Sequence, residues 1–207
     1  HRFEAAPVMT LQRFISGLHF IQFEHWTLRW LYFLAGLSGC VMIATGFLFW
    51  LEARRVQHAK KGLTGVRIVE GLTVGSVTGI VIATLAFFIA NRLLPLGASF
   101  AGIERAELEM WVFYLAWLVT FAHAAWRVRD AWLEQTWAIA ALAVLAVALN
   151  WITTGDHLLH ALGTGLHGVA GMDALLLLSA AVAGWTAPRL RQRSVANVPP
   201  RRSCQRP

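Results

Sequence analysis

The sequence predicts an all-α protein, a polytopic membrane helix bundle with about five transmembrane helices. The chain of 207 residues is 57% hydrophobic and only 14% charged, whereas soluble domains are about half apolar and a quarter charged. Its mean hydropathy is +0.55. Five apolar runs divide the chain, each near the ~20 residues that cross a bilayer as a helix. They are apolar on all sides, which disfavours the alternating strands of a membrane barrel.

The predicted spans cover residues 30–50, 69–90, 110–126, 136–152 and 169–187. They define a transmembrane bundle over residues 29–187. Residues 1–28 are expected to form an external or interfacial segment, because Phe14, Ile15 and Leu18 have the spacing of a short amphipathic helix. Residues 188–207 are rich in Pro and Arg without periodicity, which predicts a disordered basic tail.

The distribution of Lys and Arg predicts the orientation of the spans. Most of these residues lie in the loops after the first and third spans and in the C-terminal tail. The positive-inside rule places those loops and the C-terminus in the cytoplasm. Residues 1–28 and the loops 92–108 and 153–168 are then external. The net charge of +7 indicates contact with acidic lipid headgroups of the bilayer. Nucleic acid is disfavoured as a partner, because the basic residues flank spans and form no separate domain.

Glycines recur every four residues along the second span, at Gly71, Gly75 and Gly79. Such a face lets another transmembrane helix approach closely. It would equally admit a flat macrocycle against the backbone. Both interpretations stay open from the sequence.

Histidine is the residue type that could carry chemistry. The chain has no phosphate-binding loop, nucleophile elbow or HExxH pattern, and the absence of CxxCH excludes covalent c-type haem. His123 lies within the third span, where an imidazole is costly unless it is paired or coordinated. Neutral imidazole is a good iron ligand, so either an interhelical hydrogen bond or ligation would explain it.

Four further histidines lie on the predicted external side: His19, His157, His160 and His167. His157 and His160 are three residues apart and could share one face of a short helix. Such a cluster indicates haem ligation or metal capture, while ordinary loop histidines are the alternative.

Several short motifs resemble PepSY-associated transmembrane proteins. Leu18-His19 precedes the first span, which ends in Thr45-Gly46 and Trp50 and is followed by Arg54 and Arg55. Further similarity lies in NRLLP from Asn91, in FYxxW from Phe113, at His123 and in TTGDHL from Thr153. The resemblance covers residues 18–187. The glycines that the family shows after the first histidine are replaced here by residues 21–24.

The resemblance implies a function. Family members include inner-membrane ferrisiderophore reductases, which carry b-type haem and reduce Fe(III) to Fe(II) on the periplasmic side. It therefore implies a multi-pass protein of the bacterial inner membrane and an oxidoreductase activity on a ferric siderophore. Typical members also have an earlier helix and a periplasmic region that this sequence does not contain. We therefore expect the chain to correspond to the C-terminal membrane part.

The resemblance also implies ligand roles. His19 and His157 are expected to hold one external haem b through bis-histidine iron ligation, with His160 as a further cofactor ligand. His123 is expected to ligate a second haem on the cytoplasmic side. His167 is expected to bind metal near the ferric substrate. The chain has no dinucleotide-binding fingerprint, so a quinol or a redox protein is the expected electron donor.

A second class of function fits the same residues. The chain could be a non-catalytic subunit of a siderophore or metal permease, or a membrane scaffold. In that case its histidines are structural.

Overall fold

A computed structural model of the chain describes residues 7–20, 26–61, 65–127 and 130–196. Within these ranges the chain forms seven helices and one short hairpin. In chain order the elements are α1 (Pro7–Phe20), α2 (Trp26–Lys61), α3 (Gly65–Leu93), β1 (Ser99–Phe100), β2 (Ile103–Glu104), α4 (Arg105–Trp126), α5 (Ala131–Thr154), α6 (Leu158–Gly163) and α7 (His167–Ala196).

Five of these helices are long and apolar enough to cross a membrane, which confirms the predicted fold class. Their candidate spans are Trp30–Arg54, Arg67–Leu93, Arg105–Trp126, Ala131–Thr154 and His167–Leu190. Each contains a predicted apolar run and extends beyond it at one or both ends. The extensions carry polar and charged residues because helix hydrogen bonding continues into the headgroup region, where such side chains are solvated.

The chain divides into two compact units, residues 1–53 and 54–207, and the predicted bundle over 29–187 crosses this division. The first unit contains α1 and most of the first span. Apolar side chains of α1, among them Leu11, Phe14 and Ile15, are exposed. They share the helix with one described cation, Arg13. Such a composition is typical of interfacial helices, and the interfacial character of residues 1–28 stays a prediction.

The second unit is a helical assembly in which α3 and α5 are central. α3 packs against α4 and α5, and α5 packs against α7. Its largest buried cluster joins Ile82 and Leu85 of α3, Ile139 and Ala143 of α5, and Ala180 and Ala183 of α7. Thr78 of α3 contacts Gln135 of α5, and further along both helices Ile82 and Ile139 share this cluster, so α3 and α5 run parallel.

The glycine face of α3 is occupied by α4. A Cβ atom on Gly75 would overlap the ring of Phe121, and one on Gly79 would overlap the side chain of Thr120. Trp117 Nε1 donates to the Gly75 carbonyl at 3.0 Å. Close helix packing is therefore the correct one of the two interpretations of this glycine repeat, and no macrocycle lies in this groove because aromatic side chains fill it.

The connections α3–α4 and α5–α7 lie at the same end of the second unit, called here the hairpin end. In the first connection, β1 and β2 pair antiparallel with Ser99 opposite Glu104. Their turn places Ala101 and Gly102 at φ of 52° and 81°. In the second, α5 ends at Gly155, whose φ of 75° caps the helix, and the short helix α6 follows. The opposite end, with the α4–α5 connection, is called the Arg127 end.

α7 continues through Pro188 to Ala196, so the tail predicted as disordered over 188–207 is helical in its first part. Proline lacks the N–H that would bond one turn back, but helices in membranes tolerate it. The arginine-rich sequence after Pro188 also contains good helix formers. Residues 197–207 lie outside the described residues.

Candidate functional site

His123 belongs to a polar network at the Arg127 end. Its Nε2 lies 2.8 Å from Glu134 Oε2, and its Nδ1 lies 3.3 Å from Gln135 Nε2. Gln135 is buried, with 3% of its surface exposed. The network joins α4 to α5, and Thr78 of α3 extends it.

The contacts of Gln135 determine the tautomer of His123. Gln135 Nε2 donates to the Thr120 carbonyl at 2.9 Å, and Gln135 Oε1 accepts from Thr78 Oγ1 at 2.5 Å. The second amide proton therefore points to His123 Nδ1, which accepts. The ring proton then lies on Nε2 and is donated to Glu134. Both ring nitrogens are engaged, so iron ligation by His123 would have to displace one of these partners.

Glu134 also pairs with cations at the same end. Arg127 contacts Glu134 Oε1 through Nη2 and lies 3.7 Å from Asp130. Glu134 is 35% exposed and Arg127 is 50% exposed. This end therefore presents a carboxylate held between an imidazole and a guanidinium, an arrangement that can orient an imidazole.

His157 and His160 flank the first turn of α6 at the hairpin end. His157 is the N-cap residue, and its Nδ1 accepts the backbone N–H of His160 at 3.1 Å. His160 lies within the helix, and the two ring centroids are 5.8 Å apart. The short helix suggested by their spacing is confirmed, although His157 caps it and does not lie within it.

The two rings differ in the nitrogen that they present. His160 Nδ1 lies 3.0 Å from Asp156 Oδ1. Because a carboxylate only accepts, Nδ1 carries the proton and leaves the lone pair of Nε2 for a ligand. Carboxylate-oriented histidines of this kind are typical metal ligands. His157 Nδ1 is used by the helix cap, so in the neutral ring the proton lies on Nε2.

No described contact places the remaining predicted ligands next to His157 and His160. His167 is exposed in the first turn of α7. His19 lies in α1, but its side chain is outside the described part of the chain. Among the described residues, no three His, Cys, Asp or Glu side chains converge as a metal site. The roles predicted for His19, His157, His160 and His167 stay predictions.

Two buried carboxyl clusters were missed as such from the sequence. Glu109 is 7% exposed. It accepts from Asn91 Nδ2 at 3.1 Å and pairs with Arg105 Nε at 3.0 Å. Asp173, 3% exposed, contacts Asn150. Both acids lie in the second turn of their helices, because α4 begins at Arg105 and α7 begins at His167. The sequence signal that could have identified these clusters was the presence of an acidic residue within an apolar span.

An apolar groove of about 330 Å³ lies between α3 and α4. Its lining residues are Thr84, Phe87, Phe88, Met110, Phe113 and Tyr114. None of the predicted ligand residues lines it, so the groove and the polar clusters are separate features of the second unit.

Comparison with known proteins gives one family and one relative. The chain is 28% identical over 177 residues to an uncharacterized protein of Pseudomonas aeruginosa. That alignment covers 83% of this chain but 35% of the relative, so the chain spans about a third of that protein. No solved structure matches. The family described as the PepSY-associated TM region matches residues 1–53. These residues contain Leu18-His19, Thr45-Gly46 and Trp50, and the first 53 residues of the chain are therefore similar to the PepSY-associated TM region family.

Proposed function

We propose that the chain is the membrane part of a b-type haem electron-transfer protein. It would reduce ferric siderophore on the external side of the bacterial inner membrane and take electrons from a quinol or a redox protein. The observation that carries the proposal is a pair of imidazoles at opposite ends of the second unit, each oriented by a carboxylate. His160 pairs with Asp156 at the hairpin end, and His123 pairs with Glu134 at the Arg127 end.

The separation of these imidazoles suits transfer across a bilayer. α5 runs from the Arg127 end to the hairpin end over its 24 residues, a length of about 36 Å at ~1.5 Å per residue. The hydrocarbon core is about 30 Å thick. The two histidines would thus lie near opposite membrane surfaces, as an electron path through the bilayer requires.

At the hairpin end, His160 is the residue suited to ligate the iron of haem b. Its Nε2 lone pair points away from Asp156, whereas the cap contact and the ring proton engage both nitrogens of His157. We therefore favour His160 over His157 as the ligand from this segment. Haem b would supply a one-electron carrier with both axial sites filled.

Other residues of the chain position the histidine rings. Asp156 fixes the tautomer and the orientation of His160. At the Arg127 end, Gln135 holds the His123 ring in place. Ligation there through Nε2 would require the ring proton to move to Nδ1 and the Gln135 amide to turn so that its oxygen accepts that proton, while Glu134 keeps its contact with Arg127. Each Fe(III) centre of the siderophore accepts one electron and leaves as Fe(II).

Absorbance spectroscopy of the purified chain tests the proposal. We expect a Soret band that sharpens and shifts on reduction with dithionite. His160→Ala should lower the haem-to-protein ratio, while His58→Ala serves as the matched control that keeps it. Colourless protein with full helix content, purified from cells supplied with haem, would contradict the proposal.

Asp156→Asn is expected to weaken haem retention about 10–100-fold without changing the fold, because the outer partner of a ligating histidine typically has this effect. Titration of the apo chain with haem measures the change. The His58→Ala variant provides the reference affinity. Equal affinity in Asp156→Asn and wild type would exclude the orienting role of this carboxylate.

One observation favours the alternative of a non-catalytic permease subunit or scaffold. Both ring nitrogens of His123 are hydrogen-bonded within the protein, which suffices to explain an imidazole in a span. If His123→Ala lowers stability but leaves the haem stoichiometry unchanged, then His123 is structural. The Arg127 end would then hold no haem through this residue.

A further inference from the structure

Asp173 of α7 and Asn150 of α5 form a buried polar pair toward the hairpin end. Asp173 is 3% exposed and Asn150 is 6% exposed, and Asp173 lies within the candidate span of α7. Neither the proposed electron path nor the family resemblance uses this pair. The inference drawn from it is therefore independent of the proposed function.

The contacts of the pair leave two unmet requirements. Asn150 Nδ2 approaches both carboxyl oxygens of Asp173, at 3.3 and 3.2 Å, so one amide group is shared between two acceptors. Within the described ranges Asp173 has no cationic partner among the ion pairs. Asn150 Oδ1 is buried and has no hydrogen-bond donor. An unpaired buried charge and an unsatisfied buried acceptor are each costly in the low dielectric of a membrane interior.

A single proton would meet both requirements. On one Asp173 oxygen it supplies the O–H donor that Asn150 Oδ1 lacks, while the other oxygen continues to accept from Nδ2. The two side chains then form a cyclic acid–amide pair with two hydrogen bonds, after a small rotation of the amide. We propose that Asp173 and Asn150 form a proton-binding site that joins α5 to α7 in the half of the second unit nearer the hairpin end.

The same geometry disfavours a metal ion at this site. Hard cations take six or more oxygen ligands, whereas the pair offers one carboxyl group and one amide oxygen. No cluster of metal-ligating side chains includes Asp173 among the described residues. A proton, in contrast, needs only the carboxyl group and the amide oxygen that the pair already offers.

Few titratable groups lie on the elements that pack against α7. Between Trp137 and Thr154, α5 has no charged residue. α6 has His160, which already pairs with Asp156, and its cap His157. His167 lies in the first turn of α7, and Arg92 is the last basic residue of α3, which shares the buried core. Among the hydrogen bonds and ion pairs of the described residues, the amide of Asn150 is therefore the only polar side chain that contacts Asp173.

Infrared difference spectroscopy of the full chain in lipid vesicles tests the site. At neutral pH we expect the C=O band of a protonated carboxylic acid, which shifts in D₂O and is lost in Asp173→Asn. In Asn150→Leu the band should move to higher frequency, because the carboxyl loses its hydrogen bonds. Glu109→Gln is the matched control for another buried acid and should leave the Asp173 band unchanged.

Two outcomes overturn the proposal: no protonated-carboxyl band in the wild-type chain, or a band that survives unchanged in Asp173→Asn. If Asp173→Asn does not accumulate, Asp173→Glu replaces it, because a longer side chain must displace the band. An unchanged frequency in Asp173→Glu would exclude Asp173 as the proton carrier.

Discussion

Replacing Gly75 with leucine is expected to disrupt the packing of α3 against α4 and to lower the stability of the second unit severely. Even a single Cβ atom at this position would overlap the ring of Phe121, and Gly75 also accepts a hydrogen bond from Trp117. Overpacking in a filled interior typically costs about 1–3 kcal/mol, and a whole leucine side chain should reach or exceed the upper end. Reversible unfolding in mixed detergent micelles, followed by circular dichroism, measures the loss.

Gly184 offers the matched control within the same unit. It lies in α7, and a Cβ atom there would meet nothing within 4 Å. Gly184→Leu should keep wild-type stability or raise it, since leucine has the better helix propensity. Adding Phe121→Ala to Gly75→Leu should recover part of the lost stability by vacating the overlapped space. Equal effects of leucine at positions 75 and 184 would show that α4 does not occupy the glycine face.

Gln135→Leu is expected to be the second most damaging change. It removes one of the two acceptors of Thr78 Oγ1, the other being the Val74 carbonyl, and the donors to the Thr120 carbonyl and to His123 Nδ1. Buried polar groups left unsatisfied cost about 1–3 kcal/mol each in proteins, although single interhelical hydrogen bonds in membranes average only ~0.6 kcal/mol. We expect a total loss of about 1–3 kcal/mol, because one side chain serves three helical partners.

A double-mutant cycle with Thr78→Val distinguishes this network from a simple change of packing. If Gln135 and Thr78 act together, the double variant should lose less stability than the two single variants combined. Strict additivity would contradict the network. Thr84→Val, at an exposed position of the same helix, is the control that should show additive behaviour with Gln135→Leu.

The histidines illustrate how far sequence reasoning reaches. The spacing of His157 and His160 correctly indicated a short helix, because the period of a helix turn is local. Which nitrogen each ring presents depends on Asp156 and on the helix cap, and no spacing rule encodes that. His123 was correctly identified as a paired or coordinated imidazole. Its partners Glu134 and Gln135 come from the next helix, across the α4–α5 connection.

The burial of Glu109 and Asp173 was not predicted from the sequence. Glu109 lies just before the predicted run 110–126, and Asp173 lies near the start of the predicted run 169–187, so both positions indicated helix starts. The helices begin earlier, at Arg105 and His167, which carries both acids inside the protein. Asn91 and Asn150 became their partners through the pairing of α3 with α4 and of α5 with α7.

The amino-acid sequence by itself determined the class of the protein, its five apolar spans and the family that its first 53 residues resemble. These properties follow from hydropathy and short motifs, which are read along one dimension. Only the tertiary structure decided that α4 fills the glycine face of α3, that Gln135 holds His123 and that Asp173 meets Asn150. Lipid tails are as apolar as leucine, so hydropathy does not distinguish the buried face of a span from its lipid face, and the rotation of each helix about its axis emerges only when the helices pack.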